Sequence, residues 1–269
     1  MEKIKGRALI FTDLDGTLLD HETYSFAPAK PALTALARLN HPVILTSSKT
    51  KSEMLQLQEE MGLSSPFVVE NGGGFYVTQG YFEGKVSTRW EAVRLGADLA
   101  QLSNFLRPLR DQYDFITFSD ARIQQVVEWT GLSFEKAALA KERDFSEPLM
   151  WNDTEKKLDL FKCQVEAAGF RLIKGGRFWH LIGQSDKAIA LQALLTRYQG
   201  LWPGELITTV ALGDSPNDLL MLQTADVAVA IQPITGRRLD LSAHSRSINP
   251  QALGPLGWCQ AMEELFEIK

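Results

Sequence analysis

Apolar and polar positions follow two rhythms along this chain, and the change of rhythm divides it. From residue 7 to residue 83, short continuous apolar runs alternate with segments of helical period. RALIFTD and HPVILTSS read as strands. PALTALARL, with Leu33, Leu36 and Leu39 at helical spacing, predicts a helix. A second helix is predicted from Thr50 to Met61, with Thr50 and Glu53 as a capping box and Gly62 as its stop. SPFVVENGGG reads as a third strand running into a glycine-rich turn, followed by a hairpin through GFYV and GYFEGKV. The same grammar resumes near residue 185. Ser185 is expected to start a helix whose Leu191, Leu194, Leu195 and Tyr198 form one face and which Gly200 ends. ELITTVALGD reads as a strand, Ser215 and Pro216 as the cap and first residue of a helix over Leu219 to Leu222, and DVAVAI as a further strand. Strands apolar along their whole length belong to a sheet covered on both faces. The expected fold class is therefore α/β, a Rossmann-like parallel-sheet core with helices on both faces.

The stretch between differs. A long helical segment is expected from Trp90 to about Arg107, then the strand FITF and a helix around Ile123 to Trp129. The strand SEPLMW follows, then a helix capped by Asp153 with Leu158, Phe161 and Val165 inward. FRLIK and RFWHLIG pair around a Gly175-Gly176 turn. The expectation is a core made of residues 1–84 and 185–269, with residues 85–184 inserted as a second, α+β domain.

Composition narrows the function classes. The 269 residues are 45% hydrophobic and 23% charged, with a net charge of -5, which gives no electrostatic footprint for nucleic acid or an anionic membrane. No run approaches the length of a membrane span, and the N-terminal ALIF is too short for a signal sequence, so the reading is cytoplasmic. Cys163 and Cys259 fit no metal spacing and are read as packed thiols. His21, His41, His180 and His244 show no ligand spacing. Oligomeric state is not legible.

Chemistry gathers at the strand ends. Asp13 and Asp15 in FTDLDGT, Ser47 in LTSSKT, Lys187 in QSDKA, and Asp214 with Asp218 in LGDSPND each sit where a strand gives way to a loop or helix. In a parallel sheet those ends share one edge. Two neighbouring carboxylates repel each other and resist desolvation unless a cation, a proton or strong donors lie between them. Ser47 could equally cap a helix, and Asp218 could be only an early helical acid. Asn217 stays open, and Asn71 reads as a turn residue.

The pattern DxDGT, a Ser after the second strand, a distant Lys and GDxxxD resembles the haloacid dehalogenase superfamily. The insertion resembles the large cap of its sugar-phosphate phosphatases. VILTSSKT with PFVVENGGGFYV, and AALAKERDFSEP, are similar to the mannosyl-3-phosphoglycerate phosphatases within it. The resemblance implies Asp13 as a nucleophile that forms an acyl-phosphate and Asp15 as general acid and then base. It further implies Ser47 and Lys187 on the phosphoryl oxygens, and Mg²⁺ on Asp13, Asp15 and Asp214 with Asp218 a ligand or its support. The implied partner is a phosphorylated sugar acid. Lys141, Arg143, Ser146 and Glu147, with Lys174 and Arg177 near the second turn, are the candidates for reading it, each of which could also be a solvated loop residue. Alternatives within the same pattern are a broader sugar-phosphate phosphatase, a phosphomutase, or a non-catalytic receiver or phosphosugar-binding module. No P-loop or dinucleotide motif is present.

Overall fold

The computed structural model describes residues 2–175 and 177–268. The first third contributes β1 (Arg7–Thr12), α1 (Lys30–Arg38), β2 (Val43–Leu45), α2 (Lys51–Met61), β3 (Phe67–Val69), β4 (Gly74–Thr78) and β5 (Trp90–Arg94). The middle adds α3 (Leu99–Leu106), β6 (Phe115–Thr117), α4 (Ile123–Thr130), α5 (Phe134–Lys141), β7 (Ser146–Trp151), α6 (Glu155–Ala167), β8 (Arg171–Lys174) and β9 (Trp179–Ile182). The last third returns with α7 (Lys187–Leu201), β10 (Ile207–Gly213), α8 (Leu219–Thr224), β11 (Val227–Ala230), β12 (Ser247–Ile248) and α9 (Gly254–Leu265).

Five strands form a parallel sheet in the order β12–β11–β10–β1–β2. Sequence pattern and burial agree residue by residue. Ala8 and Ile10 of β1 join Leu45, Val210, Leu212 and Val229 under α1 and α9, where Leu36, Trp258 and Met262 close the layer. Leu9 and Phe11 point the other way, joining Ile44, Ala211 and Ala228 under α7 and α8 with Leu191, Leu194, Tyr198 and Leu222. Both faces of the sheet are thus dry, as uninterrupted apolar strands require. A parallel bridge from Thr46 to Val68 carries the sheet edge on to the antiparallel trio β3–β4–β5.

The middle segment folds as an antiparallel sheet, β6–β7–β9–β8. α3 and α6 pack on it through Leu102, Leu106, Phe161 and Val165. α4 and α5 form a smaller cluster around Val126 and Ala137 with Phe118 and Phe178.

Several local expectations are corrected. Trp90–Arg94 is strand β5 paired with β4, and only Leu99–Leu106 of the expected long helix is helical. GYFEGKV is not a hairpin arm: Tyr81–Glu83 is a 3₁₀ turn between Gly80 and Gly84, both at positive φ. The side-chain caps of α6 and α7 are Thr154 and Asp186, each one residue beyond the Asp153 and Ser185 expected. Leu39 caps α1 from an exposed position, and Cys163 is exposed while Cys259 is buried. The turn between β8 and β9 includes Gly175; Gly176 lies outside the described residues. Among the described residues no helix is long and apolar enough to cross a membrane.

Candidate active site

Every parallel strand that carries a candidate residue delivers it at the C-terminal edge of the sheet. Asp13 follows β1 directly, and its N–H still donates to Leu212 O of β10 at 2.9 Å, which fixes the backbone at the sheet edge. Behind it, Trp258 Nε1 donates to Thr12 Oγ1 at 3.1 Å and Thr12 Oγ1 donates to Asp13 O at 2.7 Å. Three residues on, Gly16 has φ +84°, and a Cβ there would lie 2.7 Å from Asp214 Oδ2. Only glycine lets the loop turn and press against Asp214. Thr17 completes that contact, donating to Asp214 Oδ1 at 2.9 Å.

Lys187 is the first residue of α7, a helix capped by Asp186, which accepts from Ile189 N at 2.9 Å. A cation is disfavoured at that end of a helix, yet the Lys187 side chain is 1% exposed. Its ammonium compensates by donating to Asp13 Oδ1 and to Asp218 Oδ1, each at 2.6 Å. Asp218 is committed on its other oxygen as well: Oδ2 accepts from Asp214 N at 3.2 Å, Ser215 N at 3.0 Å and Ser215 Oγ at 3.1 Å. It therefore holds both Lys187 and the loop that carries Asp214.

The electrostatics match this crowding. Burial, with the Asp218 and Asp214 carboxylates nearby, pushes Asp13 up to about 8 against the opposing pull of Lys187. Burial and Asp218 push Asp214 up to about 6. Burial works against the Lys187 ammonium, but Asp13 and Asp218 outweigh it and raise its pKa. Carboxylate oxygens of Asp13, Asp214 and Asp218 lie within 4.8 Å of one another. Asp13 Oδ1 is taken by Lys187 and Asp214 Oδ1 by Thr17, and among the described residues no side chain hydrogen-bonds the second oxygen of either. Hard carboxylate oxygens gathered this closely, with burial and then repulsion opposing ionisation of Asp13 and Asp214, fit a small divalent cation.

A model of the haloacid dehalogenase-like hydrolases matches residues 10–94 and 175–237. The chain belongs to that family. It is similar, at 36% identity over 259 residues, to the glucosyl-3-phosphoglycerate/mannosyl-3-phosphoglycerate phosphatase of Persephonella marina, covering 94% of this chain and 95% of the relative. Among solved structures it is similar in fold to Thermoplasma acidophilum 0175, with a TM-score of 0.69 at 18% identity, covering 98% and 100% of the two chains. BT1666 of Bacteroides thetaiotaomicron, a haloalkanoate-superfamily phosphatase, matches with a TM-score of 0.66 at 15% identity over 95% and 94%.

The remaining candidates of this hydrolase lie around the same edge. Ser47 is buried; its N–H donates to Val68 O at 3.1 Å and its carbonyl accepts from Asn71 N at 2.9 Å. Asp15 Oδ2 accepts from Lys49 Nζ at 2.8 Å, while Asp15 Oδ1 is buried without a partner among the described residues. Burial works against the Lys49 ammonium, but Asp15 and Glu53 leave its pKa raised.

In the middle segment the expected substrate readers separate. Arg143 is committed to the protein: its guanidinium donates to Ser146 Oγ at 2.9 Å, Ala140 O at 3.1 Å and Ser48 O at 3.2 Å. It also lies 3.9 Å from Glu70 Oε2, which accepts from Ser146 Oγ at 2.6 Å. Lys141 donates to Ala121 O, Glu147 accepts from Ser119 N and Oγ, and Arg177 donates to Trp129 O. Lys174 differs. It lines a cleft of about 530 Å³ with Arg171 and His180, facing Ser48, Asn71, Ser215 and Asn217 across it.

Sequence reasoning passed over Thr17, Lys49, Glu70 and Arg171, and set His180 aside for lack of ligand spacing. Thr17 and Lys49 stand inside quoted motifs, DGT and TSSKT, so their placement beside the acids was within reach. Glu70 had one signal, an acid at the end of an apolar strand; in the structure it sits fully buried at φ +53°.

Proposed function

We propose that this hydrolase is a phosphatase that cleaves mannosyl-3-phosphoglycerate to mannosylglycerate and phosphate through a phosphorylated Asp13. The observation that carries the chemistry is the convergence of Asp13, Lys187 and Asp214 at one sheet edge, with Asp13 bonded to Lys187. Similarity over almost the full length to the Persephonella marina enzyme supports the substrate.

In this reading Asp13 attacks phosphorus with the oxygen that Lys187 does not hold, and the bond from phosphorus to the glycerate oxygen breaks. Asp15 donates a proton to that leaving oxygen, then takes one from the water that hydrolyses the acyl-phosphate. Lys187 stays protonated and bonded to Asp13, presenting positive charge to the phosphoryl oxygens as they gain charge. Ser47 and the backbone beside it hold those oxygens. Asp13, the backbone carbonyl of Asp15, and Asp214 would hold Mg²⁺, with Asp218 supporting the loop. When bound, the cation offsets the charge of the carboxylates and phosphate.

We take residues 1–84 and 185–269 as the catalytic core and residues 85–184 as its cap, with β5 of that segment bonded to the core strand β4. Lys174, with Arg171 and His180, would meet the sugar acid in the cleft. Lys141, Arg143, Ser146, Glu147 and Arg177 would shape the cap around it. The testing experiment is phosphate release with Mg²⁺ across mannosyl- and glucosyl-3-phosphoglycerate and a set of hexose phosphates. The reading expects the phosphoglycerates to be preferred by kcat/KM. Equal or better turnover of hexose phosphates would replace it with a broader sugar-phosphate phosphatase.

A further inference from the structure

Asp15 is held on one side only. Oδ2 accepts from Lys49 Nζ at 2.8 Å, whereas Oδ1 is buried and has no hydrogen-bond partner among the described residues. An acceptor left buried and unpaired costs about 1–3 kcal/mol, so among the described residues Lys49 is the side chain that fixes how this carboxyl is turned. Lys49 comes from a different strand end, two residues after Ser47, and its own N–H donates to Ser47 Oγ at 3.3 Å. Its ammonium lies 5.7 Å from the centre of the Tyr24 ring, and Lys136 of α5 lies 6.0 Å from the same ring. Lys49 is thus tied to the loop after β1 through Asp15 and Tyr24, and to the Ser47 loop through its own backbone.

We propose that Lys49 is a positioning residue for the reaction: by holding Oδ2 it fixes the orientation of the Asp15 carboxyl that protonates the leaving-group oxygen. This rests on the phosphatase reading. In the first step the electron pair of the breaking P–O bond goes to the leaving oxygen, which takes its proton from the Asp15 carboxyl. Lys49 keeps its proton throughout and strengthens its bond to Oδ2 as the carboxyl becomes a carboxylate. The role shows only where the leaving group needs that proton. An alkoxide does; p-nitrophenolate, a stable anion, hardly does.

The test compares kcat/KM, which reports the first step, for mannosyl-3-phosphoglycerate and p-nitrophenyl phosphate, in wild type, Lys49→Met and Lys49→Arg. Displacing a positioned acid by a fraction of its reach costs about 10- to 10²-fold. Lys49→Met should lower kcat/KM for the alkyl ester by that factor and for the aryl ester by much less, with Lys49→Arg restoring most of the loss. In an Asp15→Asn background, Lys49→Met should add nothing on the alkyl ester. Equal losses on both esters, no loss on either, or a full additive loss in the Asp15→Asn background would each overturn the proposal. If wild type cleaves neither ester, the phosphatase reading itself falls, and this role falls with it.

Discussion

Lys187 Nζ lies 2.6 Å from Asp13 Oδ1, although 174 positions separate the two residues. The fold places a cation at the start of a helix, where the dipole opposes it, and balances it with two buried carboxylates. Removing one member of a buried ion cluster leaves the others uncompensated, at a cost of about 3–5 kcal/mol. Lys187→Ala should therefore lower both stability, by that order, and turnover, by about 10²–10³-fold as for loss of one transition-state donor. Denaturant melts and steady-state rates check the two effects. An unaltered rate would remove Lys187 from the chemistry.

Arg143 ties α5 and β7 to the Ser48 carbonyl beside Ser47, and sits against the buried Glu70. Both ends are structural acceptors. Arg143→Ala should accordingly lower kcat/KM for mannosyl-3-phosphoglycerate and p-nitrophenyl phosphate by similar factors, with a loss of stability of about 3–5 kcal/mol. A loss confined to the sugar acid would mean that the guanidinium reads the glycerate carboxylate directly.

His180 supplies a pH dependence. Burial, and then the positive charge of Arg143, push its pKa down from 6.5 to about 3. The unfolded chain takes up this proton below about pH 6.5 and the folded protein does not, so the contribution is complete above 6.5 and is lost as pH falls toward 3. At pH 5 the loss reaches about 2 kcal/mol. Melts of wild type and His180→Asn between pH 7 and pH 5 check this: the variant's stability should fall less steeply. Parallel slopes would show that His180 is protonated freely in the fold.

The proposed Mg²⁺ site on the acid cluster predicts a metal requirement. Turnover should stop in excess chelator and return with Mg²⁺, while Ca²⁺, which takes more oxygen ligands at longer distances, should restore little. Undiminished turnover after verified metal removal would leave Asp214 without its proposed role.

What the sequence revealed and what it hid follow from range. Asp13, Lys187, Asp214 and Asp218 were legible because a parallel sheet gathers its strand ends, so order along the chain implied proximity. The capping box of α2 was legible because it is a local bond between Thr50 and Glu53. Trp90–Arg94 was misread because its strand identity comes from pairing with β4 and from the Trp90 ring packing 5.0 Å from Phe67, neither visible in local periodicity. Lys49 went unremarked because its partner Asp15 lies 34 residues away. Arg143 read as a substrate group because Glu70, the acid that receives it, belongs to another domain-scale segment.

The central claim is that Asp13 carries the phosphoryl group. Wild-type enzyme quenched in acid during turnover of a ³²P-labelled phosphoglycerate ester, digested and mapped by mass spectrometry, should carry phosphate on the peptide containing Asp13. Asp13→Asn, folded but unable to act as this nucleophile, should carry none and turn over nothing. Label on Ser47 or a histidine, or an Asp13→Asn enzyme that still turns over, would contradict the account.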